Sequence, residues 1–78
     1  MAGQKGQKMQ NNPNIEEVLE RTREECLRGI SNAHSYGGRS AWYYTHCGEI
    51  EMAFHLGLIT QERLEELNKE WHQHQPTQ

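Results

Sequence analysis

The chain has no aspartate at all; its 11 acidic residues are all glutamate, against 8 lysines and arginines, for a net charge of −3. Most carboxylate-dyad and Mg²⁺-site schemes built on Asp fall with that absence, which weighs against an enzyme. Cysteine is scarce too. Cys26 and Cys47 are the only pair, too few for a disulfide framework, and both occupy apolar positions in helical patterns where a thiol acts as a small hydrophobe. No apolar run approaches the roughly 18 residues of a membrane span, and no apolar segment follows Met1 in the manner of a secretory signal. The expectation is a cytoplasmic chain with no membrane partner.

Apolar residues are few overall, at 33% with a mean hydropathy of −1.05, a composition that alone suggests disorder. Their placement reverses that reading. Apart from Met1, Ala2 and Met9, every member of the hydrophobic set lies between Ile15 and Trp71. The chain therefore divides into a flexible N-terminal arm (1–13, with Gly-Gln-Lys twice), a single helical domain (14–73) and a flexible tail (74–78).

Three amphipathic helices are expected, at about 14–36, 40–56 and 60–73, in an all-α fold. In the first, Asn14-Ile15-Glu16-Glu17 has capping-box form. Ile15, Val18/Leu19, Thr22, Cys26, Ile30 and Ala33 then recur in steps of three and four, with Glu17–Arg21 and Glu24–Arg28 as i,i+4 pairs. Gly37-Gly38 is the expected stop. Ser40 is the expected N-cap of the second helix, whose stripe is Tyr43, Cys47, Ile50 and Phe54, flanked by Trp42, Ala53 and Leu56; Gly57 closes it. Thr60 caps the third, with Ile59 stapled to Leu64 and an apolar seam of Leu64, Leu67 and Trp71. Gly29 and Gly48 interrupt the two long helices, each at about 1 kcal/mol relative to Ala. An antiparallel hairpin turning at Gly37-Gly38 would set Gly29 level with Gly48 and Ile30 with Cys47, the alternative being a wide Trp or Tyr from a second chain in that notch. A core this small rarely supplies more than ~3–5 kcal/mol. A homodimeric helical bundle is therefore expected.

Chemistry-bearing constellations are weak. Cys26 and His34, and again Cys47 and His55, are eight residues apart, a helical rise of about 12 Å, whereas zinc ligands lie within about 4 Å of one another. The assumed hairpin register brings Cys26 to Glu51 instead, so no metal site and no cofactor are expected. Glu51 and His55 suit a surface hydrogen bond better than a metal. His46 and Cys47 are neighbours that point about 100° apart on a helix, which spoils a nucleophile–base pair. The loop Ser35–Ser40 has the ingredients of an anion cradle, but helix capping explains the same residues. Five histidines, His34, His46, His55, His72 and His74, are expected to offer a means of tuning assembly with pH, histidine being the residue type that changes charge most readily in the physiological range.

Trp42-Tyr43-Tyr44 wraps around most of a helix, so one small core cannot bury all three rings. Trp42, Tyr43, Tyr44 and Trp71 are the candidate partner-binding residues, Trp and Tyr being enriched at interface hot spots. The stretch from Gly48 to Leu67 resembles short helical proteins of phages and mobile elements, a likeness that implies an accessory role. The function expected from these features is a non-enzymatic protein–protein interaction module, an adaptor or inhibitor, acting as a homodimer on a protein partner. A Cys/His metal- or ligand-binding module is the alternative. A helix-turn-helix nucleic-acid binder is the second alternative, and the face Glu62-Glu65-Glu66-Lys69-Glu70 opposes it by repelling phosphates.

Overall fold

A computed structural model describes residues 13–77 of the chain. All but the last residue of the expected N-terminal arm lies outside the described residues. Three helices follow in order, α1 Pro13–Asn32, α2 Tyr36–His55 and α3 Gln61–His72, and no strand forms among the described residues. The fold is all-α, as the periodicity requires. Pro13 is the first residue of α1, where a missing N–H leaves no helical bond unmade.

The hairpin turn is not where the glycines suggested. α1 stops at Asn32, and α2 begins at Tyr36, one helical turn ahead of Ser40. The N-cap is Ser35, in extended backbone (φ −136°, ψ 158°), and its Oγ accepts the Gly38 N–H at 3.0 Å. Gly37 and Gly38 therefore lie inside the first turn of α2, and neither has positive φ. Gly38 earns its place by proximity: a Cβ there would stand 3.3 Å from the Ala33 methyl and from the Ser35 hydroxyl. The left-handed glycine is Gly57, with φ 77°. The Gly57 and Leu58 N–H groups donate to Phe54 and Ala53 carbonyls at 2.9 Å, a Schellman closure of α2. α3 opens as its sequence dictates, with Thr60 Oγ1 accepting the Arg63 N–H at 3.1 Å. Ile59 before it is buried, and Leu64 packs on the same core.

Moving the turn changes the register. Gly29 faces Trp42 rather than Gly48: a Cβ on Gly29 would overlap the Trp42 indole, whereas one on Gly48 would meet open space. The notch in α1 is thus filled by an aromatic ring of the same chain. Gly29→Ala should forfeit the ~1 kcal/mol that alanine normally adds to a helix interior, because the ring must leave its seat. Increased acrylamide quenching of tryptophan fluorescence, with no gain in melting temperature, is the expected outcome.

α2 lies between its neighbours, packing on α1 along one side and on α3 along another. That position explains why its apolar residues do not form one clean stripe. The core consists of Leu19 and Cys26 from α1, Tyr43, Ile50 and Ala53 from α2, Ile59, and Trp71 from α3. Trp71 is its keystone at 1% exposure. Its Nε1–H donates to the Tyr43 carbonyl at 2.9 Å, its ring stacks on Tyr43 (centroids 5.6 Å apart, 7° between planes), and His46 meets it edge-on at 4.6 Å. A bidentate ion pair fastens the start of α3 to the start of α1, with Arg63 Nε and Nη2 donating to Glu16 at 2.9 and 2.8 Å. On α1 itself the ion pair formed is Glu20–Arg23, at 3.0 Å, in place of the expected i,i+4 pairs.

Candidate interaction surface

The four residues expected to meet a partner divide into two kinds. Tyr43 and Trp71 are buried in the chain's own core, and their rings stack on each other. Trp42 and Tyr44 are exposed, and they lie on different flanks of α2. Trp42 covers Gly29 on the α1 side, while Tyr44 sits edge-on to Tyr43 and its hydroxyl accepts from Gln75 Nε2 at 3.5 Å. Three consecutive rings thus take three roles, as their 100° spacing demands.

The larger apolar feature was not singled out by the sequence. Between α1 and α2, on the side α3 leaves open, runs a groove of about 590 Å³ lined by Ile15, Val18, Leu19 and Thr22 from α1, by Thr45, Gly48, Glu49, Met52, Ala53 and Leu56, and by Leu58. Its walls expose Val18 by 41%, Met52 by 58% and Leu56 by 64%. On α2 the exposed seam reads Trp42, Thr45, Glu49, Met52, Leu56, in alternating steps of three and four, the spacing of a helix that receives another helix. Gly48 lies in the floor with open space above it, so a partner backbone can approach closely there. Thr45 is no obstacle, since its hydroxyl donates to the Ala41 carbonyl at 2.8 Å.

Beneath this groove is a polar cluster. His46 is 1% exposed, and its Nδ1 lies 2.8 Å from Glu49 Oε1 and 3.4 Å from Thr22 Oγ1. Cys26 is 2% exposed, and its Sγ joins the donor atoms of His46 and Glu49 within 4.8 Å of one another. Cys26 therefore meets His46 and Glu49, neither His34 nor Glu51, because the hairpin turns at Ala33–Ser35. The His46–Glu49 spacing of three was visible in the sequence; its burial beside Cys26 was not. Glu51 and His55 stand 3.9 Å apart on the surface, beyond hydrogen-bond range.

A thiol, an imidazole and a carboxylate in one cluster invite comparison with a nucleophilic triad. Burial, and then the charge of Glu49, push the Cys26 thiol up to about 11, whereas a catalytic thiolate needs the opposite shift. Burial also raises Cys47. The outer face of α3 presents Glu62, Glu65, Glu66 and Glu70 with Lys69, all exposed, a poor match for a phosphate backbone. Among the described residues no helix is long and apolar enough to cross a membrane. No family model matches the chain, and neither a curated protein nor a solved structure matches it, so its function has to be read from the groove and the cluster themselves.

Proposed function

We propose that this chain is a small, non-enzymatic protein–protein interaction module whose docking face is the α1/α2 groove, and that it works as a homodimer. The observation that carries the reading is the continuous apolar seam of Val18, Met52 and Leu56, exposed beside an open Gly48. Exposed apolar surface gathered in one groove, rather than scattered singly, marks an interaction site.

Two further features favour a second copy as occupant. Two such hairpins packed groove to groove would complete a four-helix layer of the kind that short helical hairpins form. The core of one chain is also small, seven buried apolar residues among those described, in a size range where oligomerisation commonly supplies missing stability. Trp42 extends the seam at one end, and Tyr44 and the acidic face of α3 remain outside it for a different protein. The dimer would thus act as an adaptor or inhibitor, a cytoplasmic role in keeping with its composition.

The test is a pair of variants. Met52→Lys with Leu56→Lys places two charges in the seam and should convert the dimer to a helical monomer, read by sedimentation velocity and circular dichroism. Tyr44→Ala, on the opposite flank, should leave assembly unchanged. A wild-type chain that sediments as a monomer up to roughly millimolar concentration, the weak limit of specific association, would remove the homodimer from the proposal.

A further inference from the structure

We propose that Cys26, His46 and Glu49 form a binding site for a thiophilic divalent metal ion of the zinc class. The site is independent of the dimer, since all three donors belong to one chain. Their ligand atoms lie within 4.8 Å of one another. Tetrahedral zinc with bonds of about 2.0–2.3 Å needs donors about 3.3–3.8 Å apart. Cys26 and His46 are buried and fixed by the core. Glu49 has a side chain 36% exposed, on flexible torsions that let its carboxylate adjust toward an ion held by the two buried donors.

The donor types select the metal. A sulfur, an imidazole nitrogen and one carboxylate match zinc and its neighbours, whereas calcium and magnesium require mostly oxygen ligands. Charge selects it as well. When the ion binds, a Cys26 S–H bond breaks, one proton leaves to solvent, and a metal–sulfur bond forms. Thiolate and carboxylate then carry two negative charges, which a divalent cation cancels. A neutral complex suits a site this buried, where an uncompensated charge would be costly. Glu49 and Thr22 both line the groove, so the site borders the groove on that side. Because Cys26 stands on α1 while His46 and Glu49 stand on α2, the ion would also clip the two long helices together.

Cobalt(II) titration of the reduced, full-length chain provides the test. One equivalent per chain should bind with a sulfur-to-cobalt charge-transfer band, and zinc should displace it. Cys47→Ser should keep the band and Cys26→Ser should lose it. Glu49→Gln, at a partly exposed position, should weaken cobalt binding at least about tenfold, and zinc should raise the melting temperature of the wild type and of Cys47→Ser, by less in Glu49→Gln and not at all in Cys26→Ser. Absence of the band in wild type, its survival in Cys26→Ser, or unchanged affinity in Glu49→Gln would each overturn the assignment.

Discussion

Trp71→Ala should leave the chain unfolded at 25 °C, with loss of its far-ultraviolet helical signal. Large-to-small replacement of a buried tryptophan costs about 3–5 kcal/mol. A single core of this size supplies little more than ~3–5 kcal/mol in total, so the one change removes the whole margin. The mechanism is specific. Trp71 is the contact through which α3 holds α2: its ring lies flat on Tyr43, edge to His46, and its Nε1–H is satisfied by the Tyr43 carbonyl. Without it α3 keeps the partly buried Leu64 and Leu67, the Arg63–Glu16 pair and a 3.4 Å contact of His72 Nδ1 with the Tyr43 hydroxyl. Trp71→Phe keeps an aromatic ring but surrenders indole volume and the hydrogen bond, and it should cost less while remaining folded. Urea titration of the two variants separates these outcomes; a cooperative, near wild-type unfolding curve for Trp71→Ala would show that α3 is not integral to the core.

The second large effect is alkaline lability. Burial raises Cys26 from 9.0 to about 11 and Tyr43 from 10.0 to about 12. Both groups are neutral in the folded chain and release their protons more readily once unfolded. Over this window the unfolded state binds fewer protons than the native state, so stability falls as pH rises. The contribution is intact below pH 9 and is lost progressively as pH climbs to the folded values. At pH 11 the linkage amounts to about 2 kcal/mol from Cys26 and about 1 kcal/mol from Tyr43, at ~1.4 kcal/mol per unit. That removes most of the ~3–5 kcal/mol available to a core of this size, and the chain should be at best marginally folded near pH 11. Urea titrations with a chelator present should show the free energy flat from pH 7 to 8.5 and falling steeply above 9. The fall should be shallower in Cys26→Ala, which lacks the first of the two groups. A wild-type stability that holds to pH 10.5 would contradict the burial of both side chains.

The elements that were legible in the sequence are those set by local chemistry. Thr60 caps α3 because its hydroxyl needs only the Arg63 amide three residues on, and Gly57 closes α2 because the chain must turn left-handed there. The period of Leu64, Leu67 and Trp71 identified the buried side of α3. The hairpin turn was harder because two serines compete for one cap. Ser35 and Ser40 both precede helix-compatible residues, and Gly37-Gly38 between them reads locally as a stop. The turn at Ser35 is accompanied by a close approach of Gly38 to Ala33 within the turn itself, where a side chain would be crowded.

That single displacement hid the polar cluster. With the turn at the glycines, Cys26 points toward Glu51, and no cluster results; with the turn at Ala33–Ser35 it meets His46 and Glu49. His46 itself looks like a surface residue, a polar side chain between Thr45 and Cys47. It is buried because α2 is packed on two sides, and the burial is tolerable because Glu49 and Thr22 satisfy Nδ1 while Trp71 covers the ring. Glu16 and Arg63 were equally out of reach, being 47 residues apart. The groove depends on tertiary placement in the same way. Val18 and Leu56 look like core positions in each helix taken singly, and only the placement of α3 reveals that they are left uncovered beside Met52.

The groove-to-groove homodimer is tested most directly by isotope-filtered NMR on an equimolar mixture of ¹³C-labelled and unlabelled chains. The account predicts intermolecular contacts from the Met52 methyl and the Val18 and Leu56 methyls, with Tyr44 and the outer face of α3 silent. Intermolecular contacts confined to Tyr44 and α3, or none at all from the Met52 methyl, would contradict it.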